Sequence, residues 1–363
     1  MNFSYSSHIR KTIAALVFTT ATVGIGVAQS NDAFLPSPVR MASTVPSNGD
    51  VNPYGVAFIK NNFKAGSGPL KPGDILVSNF NNNKNLQGTG TTIVRIPASG
   101  SPSVFFQGKA PLGLSTGLGT LQAGLVLVGN LPTRDGTSKT ASGGSILVIN
   151  NQGKLIQTIT SSTLDGPWDM AVVDRGDRAV VFVSNALNGA VSRFDFAVSA
   201  TGLTVLDHYY IASEYMHQGD PAALFDAPTG LVYDGDTDYL YVASTLDNAV
   251  FLVTDASTRT ASAGPGQIIY KDNLHLHGAL AMAEAPNGHL LVTNNDVINA
   301  DPNQPSEIVE FTKDGQFVKE IPVDPNQGGS FGLAVNKVND DTAILAGVDD
   351  NSASLTIWTL NLD

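Results

Sequence analysis

The sequence predicts an all-β fold: a six-bladed β-propeller with four-stranded antiparallel blades, its ring closed by the N-terminal segment. Two spacings and the strand count predict it. A short apolar strand ending in Val-Ser-Asn or a relative recurs as GDILVSN (73–79), GLVLVGN (124–130), AVVFVSN (179–185), YLYVAST (239–245), HLLVTNN (289–295) and AILAGVD (343–349). Measured at Asn79, Asn130, Asn185, Thr245, Asn294 and Val348, the steps are 51, 55, 60, 49 and 54 residues. The lead-in positions Gly55, Gly113, Asp169, Gly230, Gly278 and Gly332 keep the same pace, at 58, 56, 61, 48 and 54. A period of about 50 residues carrying four strands selects a propeller over a sandwich or simple barrel.

Taken in order, residues 1–28 read as a secretory signal peptide. Arg10 and Lys11 open it, the stretch from Thr12 to Val27 is apolar or small, and Gly26-Val27-Ala28 suits a signal peptidase. The rest, 29–363, reads as one domain, exported to a periplasm or secreted. Segment 36–45 is expected to supply the strand that the sixth unit lacks, because that unit ends at Asp363 after three strands. In the fourth unit the strands fall at 229–233, 239–244, 249–254 and 267–270, parted by Asp-Gly-Asp, Leu-Asp-Asn and Gly-Pro-Gly turns. Third strands align at 91–96, 144–149, 190–195, 307–312 and 354–359, and fourth strands at 103–107, 154–160, 204–211 and 317–323. Alternation is incomplete, as expected where neighbouring blades cover both faces of a strand.

The chain has 20 Lys+Arg against 32 Asp+Glu. Removing the signal would leave 18 against 32, a net charge of −14. Such a surface repels phosphate backbones, so nucleic acid is not an expected partner. No membrane span is expected once the signal is removed. There is no cysteine, so stability must come from the core. G-x-S-x-G, H-E-x-x-H and Walker patterns are absent.

PYGVAF (53–58) with GDILVSN, PTGLVYDGDTDYLYVAS (228–244) with NAVFLV (248–253), APNGHLLVTNN (285–295) with SEIVEFTKDGQFVKEI (306–321), and FGLAV (331–335) resemble the NHL-repeat-like six-bladed propellers. The resemblance spans nearly all of 50–363 and implies the architecture. Activities within that group include scaffolding, lactone hydrolysis and lyase chemistry. The lactonase pattern implies a Glu in the first lead-in, where this chain has Asn52-Pro53-Tyr54-Gly55. The lyase pattern implies W-x-T-E at the end of a second strand, where this chain has L-V-S-N and L-V-T-N.

In a propeller the lead-ins and the second-to-third-strand loops open on one face, the top face. The residues before the lead-in positions are Tyr54, Leu112, Trp168, Thr229, His277 and Phe331. They read either as packing in the channel or as a stacking cup with one switchable charge, His277. PWD (167–169) breaks the glycine rule, which singles out Trp168 and Asp169. Asn79, Asn130, Asn185, Asn294 and Asn295 read either as turn residues or as a ring of amides for a polar ligand. His275 and His277, with Asp296 and Asp301 in the oxygen-rich 295–305 loop, are the candidate ligands for a divalent metal cofactor. His277 is also the candidate catalytic base. Loops 80–90 and 131–143 and the insertion 212–227 are long enough to carry function. The favoured expectation is recognition of a small polar molecule, glycan or peptide at the top face. The alternative is a metal-assisted hydrolase or lyase at the channel mouth.

Overall fold

A computed structural model describes Phe34 and residues 40–362. The expected signal peptide lies outside the described residues. The N-terminal strand is β1 (Arg40–Ser43). Blade one comprises β2 (Val51–Phe58), β3 (Ile75–Asn81), β4 (Thr92–Ile96) and β5 (Ser103–Gln107). Blade two comprises β6 (Leu114–Leu121), β7 (Leu125–Asn130), β8 (Ser145–Asn150) and β9 (Leu155–Ile159). Blade three follows as β10 (Pro167–Asp174), β11 (Arg178–Asn185), β12 (Ala190–Ser199) and β13 (Gly202–Ala212). A small hairpin, β14 (Gln218–Asp220) and β15 (Leu224–Asp226), interrupts the sequence of blades. Blade four is β16 (Pro228–Asp234), β17 (Tyr239–Ser244), β18 (Ala249–Val253) and β19 (Gln267–Tyr270). Blade five is β20 (Ala279–Glu284), β21 (Leu290–Asn294), β22 (Glu307–Phe311) and β23 (Phe317–Pro322). Blade six holds β24 (Ser330–Lys337), β25 (Thr342–Asp349) and β26 (Ser354–Asn361).

The sixth blade takes its outer strand from the start of the domain. The sheet order is β1-β26-β25-β24, with Arg40 opposite Ile357 and Ser43 opposite Ser354. Thr44 extends the pairing, its N–H and hydroxyl both donating to Ala353 O at 3.0 and 2.7 Å. The edge of β26 that would otherwise be open is thus covered, and a circular array of sheets is held shut by first and last segments.

The core is divided among the spaces between blades. Successive clusters join blades one and two around Leu76, Leu114 and Val126, two and three around Leu127 and Phe194, and three and four around Phe182 and Leu240. Others join four and five around Val250 and Phe311, and five and six around Leu291 and Trp358. The interface of blades six and one merges with the residues on the axis. Strands buried on both faces explain the continuous apolar runs.

Glycines let the inner strands converge. A Cβ on Gly332 would lie 1.8 Å from Tyr54 O, and one on Gly55 would lie 2.6 Å from Thr116 O. A Cβ on Gly230 would lie 2.5 Å from Leu280 O. Hydroxyls then pin blade to blade: Ser78 Oγ donates to Ser115 O, Ser115 Oγ to Pro167 O and Ser184 Oγ to Thr229 O, at 2.8–2.9 Å.

Candidate functional site

Strand register corrects two of the expected lead-in positions. Opposite the second strands, Val56, Leu118, Met170, Leu231, Met282 and Leu333 occupy equivalent places. The residue before each is therefore Gly55, Gly117, Asp169, Gly230, Ala281 and Gly332. The ring around the channel mouth is Tyr54, Thr116, Trp168, Thr229, Leu280 and Phe331. Leu112 and His277 precede look-alike glycines farther out: Gly278 comes just before Ala279, where the bulge of blade five begins, and the bulge of blade two, Leu114 to Leu118, is one residue longer than the others. Gly278 is a turn glycine at φ +88°, the left-handed region that suits glycine.

The aromatic members form a packed plug. Tyr54 stacks on Phe80 and Phe331 at 4.6 and 4.5 Å between ring centroids, and Trp168 meets Tyr54, Phe80 and Phe225 edge-on at 5.7, 5.3 and 6.2 Å. Phe225 arrives from β15. Hairpin β14–β15 lies over the mouth, burying Leu224 and Phe225 in the axial cluster and touching loops 80–90 and 131–143. Gln87 Nε2 donates to Ala222 O at 2.8 Å. Tyr54 and Trp168 are each 1% exposed, so the expected cup is filled and roofed. The 212–227 insertion was legible as a long loop, but nothing in its sequence says that it turns inward.

Asn79, Asn130, Asn185 and Asn294 are buried clamps within their blades. Asn130, Asn185 and Asn294 use Oδ1 to accept lead-in N–H groups of Gly113, Asp165 and His277 at 2.9–3.1 Å. Nδ2 of Asn79, Asn130 and Asn185 donates to the hydroxyls of Thr92, Ser145 and Ser192 on third strands. Neighbouring Asn295 accepts from Val297 N–H at 3.0 Å, and its Nδ2 is buried without a partner. The second strand ends in register at Ser244 and Asp349 in blades four and six, one residue off the Thr245 and Val348 of the sequence ruler.

His275 and His277 point to different partners. The ring of His275 stacks on Phe317 at 3.6 Å between centroids and meets Glu320 at 2.9 Å. His277 sets Nδ1 against Asn299 O at 2.5 Å and Nε2 against Leu274 O at 3.2 Å. Asp296 accepts from the Asp301 and Ser306 N–H groups at 3.2 and 2.6 Å, and Asp301 Oδ1 accepts from Asn303 N–H at 2.8 Å. His277, Asp296 and Asp301 shape loop 295–305, and His275 bonds outside it. Among the described residues no three His, Asp or Glu side chains converge as metal ligands.

Three carboxyls near the top and axis are held neutral into the neutral range. Burial raises Asp169 to about 7 against the opposing N–H groups of Met170 and Leu231. Burial and neighbouring Asp349 raise Asp350 to about 7. Glu307, opposite Asn294 where blades one and two carry Thr92 and Ser145, is raised to about 8 by burial and then by Asp296. Sequence reading missed Glu307, although its departure from the third-strand hydroxyl pattern was visible.

The open concavity on this face lies to one side, between blades one and two. It encloses 620 Å³ and is lined by Asn48, Asn83, Leu86, Pro111, Thr133 and Arg134 among others. Asp50 forms part of its wall, accepting from Thr91 N–H and from the hydroxyls of Thr91 and Thr92 at 2.8–3.0 Å.

No protein-family model matches the chain, and no curated protein matches it in sequence. Solved structures do match in shape. A gluconolactonase from Xanthomonas campestris is 12% identical with a TM-score of 0.54, covering 91% of this chain and 98% of its own. The calcium-binding protein regucalcin from Agrobacterium tumefaciens is 13% identical with a TM-score of 0.52, over 88% and 94%. A putative glucose dehydrogenase from Thermus thermophilus is 12% identical with a TM-score of 0.50, over 88% and 99%. With six blades closed through β1 and propellers as its structural neighbours, the chain has the six-bladed β-propeller fold and resembles the NHL-repeat-like propellers.

Proposed function

We propose that the protein recognises a small polar molecule, glycan or peptide on its top face, and that the cleft between blades one and two holds it. The observation that carries this reading is the contrast between a filled channel mouth and an open 620 Å³ cleft on the same loop-rich face. The cleft sets amides and hydroxyls of Asn48, Asn83 and Thr133 beside the Arg134 guanidinium and the apolar Leu86 and Pro111. Directional donors and acceptors around a small apolar surface suit a sugar ring or an extended peptide. Export and cleavage of residues 1–28 remain part of the proposal, supported by the composition of that segment. The test is a thermal-shift and glycan-array screen followed by Asn83→Ala/Arg134→Ala. A ligand whose affinity falls at least tenfold in the double variant, with unchanged melting, supports the cleft. A screen without hits, or hits indifferent to the double variant, overturns it.

The second reading, a metal-assisted hydrolase or lyase, is favoured by Glu307 alone: a buried acid kept protonated at neutral pH is a proton donor in waiting. His277 would have to leave two carbonyl partners to act as base. Metal analysis of the purified protein, with melting before and after chelation, decides this reading. Stoichiometric metal with a large melting shift favours it, and metal-free protein with unchanged melting rejects it.

A further inference from the structure

The roofed channel mouth carries a feature that packing alone leaves unexplained. Asp226 is 1% exposed, and its Oδ1 has no hydrogen-bond partner. Its Oδ2 accepts from Gln218 Nε2 at 3.2 Å. Trp168 is equally buried, and its Nε1 also has no partner. A buried acceptor or donor left without a partner is costly, and more so for a charged group. Burial raises the Tyr54 hydroxyl well above its ordinary value, and Asp350 and Asp226 add to that rise. Burial first, and Asp220 after it, raises the Asp226 carboxyl above the usual range, against the hydrogen bond from Gln218. The mouth therefore combines aromatic surface, carboxyls and an indole N–H without a partner among the described residues.

We propose that hairpin β14–β15 roofs an axial site for an amine-bearing ligand, seated against Tyr54, Trp168 and Phe225 with Asp226 as its anchoring carboxylate. An ammonium satisfies Asp226 Oδ1. An oxygen next to that amine, as in an amino alcohol or an amino-acid amide, accepts from Trp168 Nε1. The chain's net charge of −12 favours approach of a cation.

The roof is built to lift. Glu214 and Leu224 sit at φ +72° and +64°, left-handed backbone that strains a non-glycine residue. The bonds from Gln87 Nε2 to Ala222 O and Pro221 O are solvent-exposed, at 2.8 and 3.4 Å. Raising the hairpin breaks exposed bonds and relaxes Leu224, against the cost of uncovering Leu224 and Phe225. This site is separate from the blade one–two cleft and does not depend on it.

The chain has two tryptophans, so Trp358→Phe leaves Trp168 as the single indole reporter. Phenylalaninol carries an amine beside a hydroxyl, and 3-phenylpropan-1-ol is its neutral counterpart. Phenylalaninol should change Trp168 emission saturably and raise the melting temperature, while the neutral alcohol does neither. Asp226→Asn should weaken binding at least tenfold, and Asn83→Ala/Arg134→Ala should leave it unchanged. Calorimetric titration of the unaltered protein and of Asp350→Asn answers the same question if Trp358→Phe or Asp226→Asn does not fold. Asp350→Asn should then lower affinity for the amine. No saturable response, equal responses to amine and alcohol, or undiminished affinity in the carboxamide variants overturns the proposal.

Discussion

Gly332 shows how one absent methyl carbon supports the ring. Its missing Cβ makes room for the Tyr54 carbonyl of the next blade, 1.8 Å from where that carbon would stand. The register-equivalent residue in blade five is Ala281, so that position tolerates a Cβ. Gly332→Ala should therefore destabilise by about 2–3 kcal/mol through overpacking against backbone. Ala281→Gly should cost about 1 kcal/mol or less through chain entropy. Denaturant melts of both variants check the contrast, and equal losses would contradict the close-approach explanation. Glu307 gives a second residue-scale prediction. Its folded value, about 8, lies above the ordinary glutamate value, so its stabilising proton is fully present in acid and lost as pH rises through about 8. Glu307→Gln keeps the neutral shape at all pH values. It should match the parent near pH 5 and melt higher than the parent at pH 9.

At the scale of elements, the closing strand and the roof hairpin differ in kind. β1 completes a four-stranded sheet and adds Thr44's two bonds to Ala353. Deleting residues 40–45 should expose the edge of β26 and cost several kcal/mol, about 3 or more, or cause aggregation. Soluble protein with an unchanged melting temperature would contradict closure by β1. The hairpin lies outside the blades, and β14 pairs only with β15 within the sheets. Replacing residues 216–226 by a short Gly-Ser linker should leave far-ultraviolet dichroism intact. It should shift Trp168 emission to longer wavelength as water reaches the ring, and an unshifted spectrum would mean that the hairpin does not cover it.

For the whole molecule, the neutral carboxyls point to a stability optimum in mild acid. Asp169 and Asp350 at about 7 and Glu307 at about 8 all sit above their unfolded values. Each contributes stability that is present below the unfolded value and lost as pH rises through about 7 to 8. Asp234 and Asp272 act in the opposite sense. Burial opposes their ionisation, but Lys313 outweighs it for Asp234 and the His275 N–H with its neighbours outweighs it for Asp272, so both are lowered. Their contribution is lost as pH falls through those lowered values. Melting temperature should thus peak near about pH 5 and fall by pH 8.5. A flat or rising profile over that interval would show that these three carboxyls ionise without cost.

The sequence by itself determined the number of blades, nearly every strand and the closure by the N-terminal segment. Those features rest on local signals: turn residues, short apolar strands and a period that repeats. GDILVSN marks β3 wherever the rest of the chain goes, and segment 36–45, expected to close the ring, holds the β1 that pairs with β26. Tertiary structure alone decided the composition of the mouth. Gly113 and Gly278 look like Gly55 in sequence, and only cross-strand register moves the ring to Gly117 and Ala281, replacing Leu112 and His277 by Thr116 and Leu280. Asn130, Asn185 and Asn294 became clamps because the lead-in N–H groups of the same blade needed acceptors, which a spacing rule cannot show. The hairpin was beyond sequence for the same reason. Leu224 and Phe225 would suit any apolar surface, and only the assembled ring provides the one they cover, with Asp226 carried beneath it.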